Sequence, residues 1–108
     1  MRGQTVAQVS NPLRQVGEHL YVSGPLTLET VPALEKALSS LRPGIRQVDL
    51  SALTRVDSAA LAWLLALCER AEGGPPVFLH APKNLRVLAQ LYELDFLHFA
   101  PQMPENAA

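Results

Sequence analysis

The sequence has little of several features that would indicate a particular class of protein. It has one cysteine, which excludes an internal disulfide, and no apolar run near the roughly 20 residues that span a bilayer. Nine Lys and Arg residues against ten Asp and Glu residues give a net charge of -1, so no basic footprint for nucleic acid is present. The first 20 residues lack the apolar core of a signal peptide. We therefore expect a cytoplasmic protein that binds no nucleic acid and reaches a membrane only through a partner.

The patterns of a catalytic or cofactor site are also missing from the sequence. There is no glycine-rich phosphate loop ending in Lys-Ser or Lys-Thr, and no nucleophile can be paired with a base. His19, His80 and His98 are far apart and lack the spacing of metal ligands. Cys68 lies on an apolar helix face, where a small buried hydrophobic role is expected. We predict a protein that is not an enzyme and that has neither cofactor nor metal.

The composition, with 48% hydrophobic and 18% charged residues, predicts a folded chain with one core. We place a single domain at residues 5–100 and a disordered tail at 101–108. Strand and helix patterns alternate with short connections, which predicts an α/β fold with a mostly parallel mixed sheet of four to five strands. The predicted strands are 5–10, 19–23, 45–50, 77–80 and 96–99, and the predicted helices are 31–41, 58–72 and 82–93.

The stretch 48–65 is the most informative part of the chain. It predicts a buried strand, a polar loop containing Ser51, Thr54 and Arg55, and a long apolar helix opened by Asp57 and Ser58. Backbone N–H groups at a helix start have no intrahelical partner, and the helix dipole favours negative charge there. Ser58 is therefore a candidate docking or phosphorylation site. The alternative is that Ser58 only shares the capping of the helix with Asp57.

The helix after Asp57 has two predicted faces. By helical spacing the core face holds Leu61, Leu64, Leu65 and Cys68, and the opposite side holds Ala59, Ala62, Trp63, Ala66 and Arg70. Small residues allow another element to come close, and Trp and Arg are enriched in binding hot spots. We predict that the second side is an interface. The alternative is that alanine is simply a good helix former and that Trp63 folds over the edge of the core.

The same stretch resembles the signature of STAS domains, the fold shared by anti-sigma-factor antagonists and by cytoplasmic tails of sulfate transporters. In that family a strand ends in Asp-Leu-Ser, as at residues 49–51, and an Asp-Ser or Asp-Thr pair opens a long apolar helix, as at Asp57 and Ser58. Residues 24–34 are similar to the second strand and first helix of the family. The resemblance covers residues 5–100 and implies a STAS fold for them.

Two departures distinguish the chain from anti-sigma-factor antagonists within that family. Ala59 and Ala60 stand where those proteins usually have a glycine, and Thr27 stands where they usually have an acidic residue. Residues 55–58 and 88–94 look more like the MlaB-like STAS subunits of Mla phospholipid ABC transporters, which maintain outer-membrane lipid asymmetry. This resemblance implies a non-catalytic accessory subunit that binds the cytoplasmic ATPase, supports its assembly or activity, and is peripheral to the inner membrane through it.

The helix face and the resemblance together define a predicted partner-binding set: Arg55, Asp57, Ser58, Ala59, Ala62, Trp63 and Ala66. The alternative function uses the same surface. There the chain is an anti-sigma-factor antagonist, and an anti-sigma factor kinase is the partner that phosphorylates Ser58.

Overall fold

The computed structural model describes residues 12–71, 73–94 and 97–100. Its five strands are β1 (Leu13–Val16), β2 (His19–Leu26), β3 (Gln47–Val56), β4 (Val77–Leu79) and β5 (His98–Phe99). Its helices are α1 (Val31–Ala37, continued by a 3-10 turn at Leu38–Ser40), α2 (Ser58–Arg70) and α3 (Lys83–Leu91). The predicted strand at 5–10 and the predicted tail at 101–108 lie outside the described residues.

The strands form one sheet in the order β1-β2-β3-β4-β5. β1 is antiparallel to β2, and every other neighbouring pair is parallel. This confirms the α/β class and the mostly parallel mixed sheet. β1 was not predicted. It forms a hairpin with β2 through Gly17, whose φ of 59° is a conformation that glycine adopts without steric penalty.

β3 is longer than predicted, and the prediction of a polar loop after residue 50 is wrong. Residues 52–56 continue the strand and pair with residues 23–26 of β2 across two register shifts, each of which adds a residue to β3. β4 pairs only with residues 47–49. Among the described residues, the rest of β3 therefore has a strand on one side only, and Ser51, Thr54 and Arg55 are exposed. Only Asp57 separates this strand from α2.

The core lies between one face of the sheet and the three helices. Side chains of alternate strand residues point to this face and are fully buried: Leu20, Val22, Val48, Leu50 and Phe78. On the other face Tyr21 and Asp49 are half-buried neighbours in register. α2 contacts both α1 and α3, so it is the middle helix of the layer.

The prediction that Trp63 faces outward is wrong. Its side chain is 0% exposed and belongs to the core. Because α2 packs on the sheet and also between two helices, its buried residues extend beyond the predicted core face and include Ala60, Leu67 and Trp63. The predicted core face is confirmed for Leu61 and Leu64, while Leu65 and Cys68 are half-buried at its edge. The indole Nε1–H of Trp63 has no hydrogen-bond partner within the described part of the chain.

Candidate functional site

Asp57 connects two segments at the carboxyl end of the parallel strands. Its backbone is extended, and its Oδ1 accepts a hydrogen bond of 2.9 Å from the N–H of Ala59, which confirms that it caps α2. Its Oδ2 accepts a second bond, of 3.0 Å, from the N–H of Leu28. One carboxylate therefore fixes both the start of α2 and the turn that follows β2. The sequence did not predict the second bond, because it joins residues distant in the chain.

The turn between β2 and α1 is held by its own hydrogen bonds. The hydroxyl of Thr30 accepts a bond of 2.9 Å from the N–H of Thr27 and donates one of 2.9 Å to the carbonyl of Pro25. The carbonyl of Thr27 in turn accepts the N–H groups of Thr30 and Val31. Thr27 is buried, whereas the side chain of Leu28 is 73% exposed. The turn thus presents one large apolar side chain to solvent from a fixed backbone.

Ser58 lies beside this turn, in the first turn of α2, and is exposed. The side-chain cap of α2 comes from Asp57. The hydroxyl of Ser58 makes no hydrogen bond to any described residue. The alternative that Ser58 serves to cap the helix is therefore not supported among the described residues, and its side chain is exposed.

Four exposed residues define what we call the docking surface: Leu28, Arg55, Ser58 and Ala62. Arg55 pairs in register with Pro25, next to the turn that carries Leu28. Ala62 lies one helical turn beyond Ser58. The surface therefore combines an apolar side chain, a cation, a free hydroxyl and a small residue at one end of the sheet.

The predicted partner-binding residues divide into three groups by exposure. Arg55, Ser58 and Ala62 are exposed, and Asp57, Ala59 and Ala66 are half-buried around them. Trp63 is buried and is removed from the set. Leu28 was missed. The available signal was a leucine inside the polar run Thr27-Leu28-Glu29-Thr30, where a buried role is not expected.

Asp49 has a structural role on the sheet face opposite the helices. Its Oδ1 accepts a hydrogen bond of 2.8 Å from the N–H of Ser51, two residues further along β3. Partial burial raises the pKa of Asp49, but hydrogen bonds from the Ser51 hydroxyl and N–H and the positive charges of His80 and His19 outweigh it. The pKa of this carboxyl therefore lies below its usual value.

The remaining candidates give no sign of catalytic chemistry in the described ranges. Burial, and then the neighbouring carboxylate of Glu69, raises the pKa of the Cys68 thiol, which disfavours the reactive thiolate. Residues 12–71, 73–94 and 97–100 contain no group of three or more His, Cys, Asp and Glu side chains placed to hold a metal ion. No helix within these ranges is long and apolar enough to cross a membrane.

Comparison with known proteins gives a family and a fold. The family model described as "Mlab, STAS domain" matches residues 11–98. No curated protein matches the chain. Among solved structures, the anti-sigma factor antagonist SpoIIAA in its unphosphorylated form is similar with a TM-score of 0.54 and 17% identity, covering 88% of this chain and 91% of that chain. The SpoIIAA likeness shows that the two chains share the STAS fold.

Two further similarities are weaker. An uncharacterized protein of the DUF3478 family from Shewanella loihica, with a SpoIIAA-like fold, gives a TM-score of 0.38 at 17% identity over 89% of this chain and 86% of that one. The protein named Mglu gives 0.35 at 18% identity over 86% of this chain but 19% of its own length. At these TM-scores neither likeness supports an argument.

Proposed function

Because the chain belongs to the STAS domain family described by the name MlaB, we propose that it is a non-catalytic accessory subunit of a phospholipid-transporting ABC system. It binds the cytoplasmic ATPase of that system and supports its assembly or activity. The observation that carries this proposal is the docking surface, where Ser58 and Leu28 are both exposed beside the carboxylate of Asp57. The likeness of residues 55–58 to MlaB-like subunits supports the choice of partner.

The docking surface has the physical properties of a binding site for a folded partner. Covering a side chain such as Leu28 removes apolar area from water, which stabilises a complex by about 1.5–3 kcal/mol when burial is complete. The turn and the helix start are already fixed by Asp57 and Thr30, so little conformational entropy is lost on binding. The small side chain of Ala62 leaves room for close approach along α2.

The first test removes the apolar contact. The tagged chain is co-expressed with the cytoplasmic ATPase subunit of the phospholipid-transporting ABC system from the same organism, and the affinity of the purified proteins is measured. Leu28→Ser should weaken binding at least about tenfold, because it loses roughly 1.4 kcal/mol or more of apolar burial. Leu91→Ser is the matched control, since Leu91 on α3 is 71% exposed against 73% for Leu28. Equal binding by wild type and Leu28→Ser would contradict the proposed surface.

The second test introduces charge at Ser58. Ser58→Glu should keep the melting temperature near that of wild type, because the start of a helix favours a negative charge. It should nevertheless abolish binding of the ATPase, because the carboxylate must lose its water in the complex. Ser58→Thr keeps the hydroxyl and should bind like wild type. A Glu variant that binds fully would exclude Ser58 from the interface.

A phospho-switch is the second candidate function. It is favoured by the free, exposed hydroxyl of Ser58 at the positive end of α2, and the similar protein SpoIIAA is named as an anti-sigma factor antagonist in an unphosphorylated form. Under this alternative the partner is an anti-sigma factor kinase, and mass spectrometry after incubation with that kinase and ATP finds a phosphate on Ser58. Co-purification of the ATPase without modification of Ser58 would favour the transporter subunit.

A further inference from the structure

A pocket lies at the opposite end of the sheet from the docking surface. It is about 190 Å³ in volume and is formed where the segment before β3 meets the end of α2 and the start of β4. That volume exceeds the roughly 150 Å³ of an engineered cavity that holds benzene, and it is below the roughly 300 Å³ at which pockets for drug-sized ligands begin. Most of the lining is apolar: Leu41, Pro43, Ile45, Leu67 and Pro76.

Two arginines contribute the polar part of this pocket. Arg42 lies on the segment before β3, and Arg70 lies in the last turn of α2. Both are exposed, and neither side chain has an ion pair or hydrogen bond within the described ranges. A third guanidinium, that of Arg46, lies close to Gly73 in the loop that follows α2. In a chain with a net charge of -1, this is a local concentration of positive charge.

The backbone of the pocket rim is fixed before any ligand binds. The side chain of Gln15 donates a bond of 3.0 Å to the carbonyl of Arg42 and accepts one of 2.8 Å from its N–H. This amide pair joins β1 to the segment that carries Arg42. A ligand would therefore meet a preformed site, which lowers the entropic cost of binding.

The negative partial charge at the C-terminal end of α2 disfavours an anion in this pocket. This effect is smaller than the attraction from the two arginines. The C-terminus of a helix carries a partial charge of about -0.5. Arg42 and Arg70 each carry a full positive charge, and the described lining residues include no carboxylate, so the charges on the described lining favour an anion. A planar guanidinium also forms two parallel hydrogen bonds to a carboxylate or phosphate.

We propose that this pocket binds an amphiphilic anion. A short apolar chain occupies the cavity lined by Leu41, Ile45 and Leu67, and a carboxylate or phosphate head binds Arg42 and Arg70. The site is independent of the proposed ATPase contact, because it lies at the other end of the parallel strands. Its experiment uses the isolated chain, so a failure would not affect the proposed function.

The test is a titration of the ¹⁵N-labelled chain with octanoate and with octyl phosphate, followed by NMR. Saturable shifts are expected at the amides of residues 41–45 and 67–71. Acetate and inorganic phosphate lack the apolar chain, 1-octanol lacks the charge, and octylammonium reverses it. Each of these four should bind at least about tenfold more weakly, since a hydrogen bond to a charged group or the burial of the chain is lost.

Substitutions then test the arginines directly. The double variant Arg42→Gln with Arg70→Gln should raise the Kd of octanoate at least about tenfold. Arg14→Gln is the control, because Arg14 is exposed on the sheet face opposite the helices, stacked over Tyr21. Both variants should melt like wild type. Binding of octanol or octylammonium as tight as that of octanoate, unchanged octanoate affinity in the double variant, or no saturable shift would each overturn the proposal.

Discussion

Asp57 should stabilise the protein through two separable hydrogen bonds, and two substitutions distinguish them. Replacing Asp57 with alanine removes both acceptors, whereas asparagine keeps a side-chain oxygen that can still cap α2. The asparagine amide would then place an N–H donor against the N–H of Leu28, where the carboxylate now accepts a bond of 3.0 Å. Asp57→Asn should therefore lose the bond to the β2–α1 turn and keep the cap.

The magnitudes follow from the two bonds. Loss of a helix cap typically costs about 1 kcal/mol. A hydrogen bond to a charged acceptor contributes about 1.5–3 kcal/mol when buried, and we take about 1 kcal/mol here because Leu28 is exposed to water. Asp57→Ala should then cost about 2 kcal/mol and Asp57→Asn about 1 kcal/mol. At roughly 4–8 °C per kcal/mol, the melting temperatures should fall by about 8–16 °C and 4–8 °C.

Thermal melts followed by circular dichroism test the ranking, and amide hydrogen exchange tests its cause. In Asp57→Asn the amide of Leu28 should exchange faster while that of Ala59 stays protected, and in Asp57→Ala both should exchange faster. Glu29→Gln controls for the loss of one negative charge in the same turn, and it should change stability by less than about 0.5 kcal/mol. Unchanged protection of Leu28 in Asp57→Asn, or equal destabilisation by both substitutions, would refute the reasoning.

Two further predictions concern the core and the sheet face opposite the helices. Trp63→Ala should cost about 3–5 kcal/mol in urea unfolding because it leaves a cavity in the core, whereas Trp63→Phe should cost less because the phenyl ring fills most of that space and the indole N–H it removes has no partner among the described residues; equal losses would contradict the burial of Trp63 in the core. The lowered pKa of Asp49 stabilises the fold above the unfolded-state pKa of about 3.9, and this contribution is lost as the pH falls through the lower folded-state pKa. Asp49→Asn should therefore flatten the acid side of the stability curve, and an unaltered acid limb in that variant would contradict the pKa direction.

The parts of the fold that were predicted correctly have local signals. The cap at Asp57 was predicted because a helix start is encoded by one side chain and the apolar spacing after it. The start of β2 and the short strand β4 were found from apolar residues bounded by turns. The hairpin of β1 with β2 was missed, since β1 has only four residues and only Leu13 among them is buried.

The wrong or missing predictions concern features that depend on contacts between elements distant in the sequence. Past residue 50, β3 extends beyond β4 and its polar residues Ser51, Thr54 and Arg55 are exposed, so these residues led to the prediction of a loop although the backbone is paired with β2. Helical spacing could not show whether Trp63 faces the core or the solvent, since α2 is apolar on nearly its whole circumference. The helices on both sides of α2 contribute to its burial. The bond from Asp57 to Leu28 joins two segments 29 residues apart, and no local pattern encodes such a contact.

The size of the docking surface sets a condition on how the ATPase must bind. A specific interface of standard size covers roughly 800 Å² and about 20–30 residues on each partner, many more than the four residues that define this surface. The outward side of α2 continues from Ser58 and Ala62 to the half-buried Leu65 and Ala66, in a line of small and apolar side chains. We expect the partner to cover this line as well, with Leu28 and Ser58 near the centre. Because the other side of α2 holds Trp63 in the core, the helix is a rigid support for such a contact. Substitutions at Leu28 and Ser58 should then change affinity while leaving the fold unaffected.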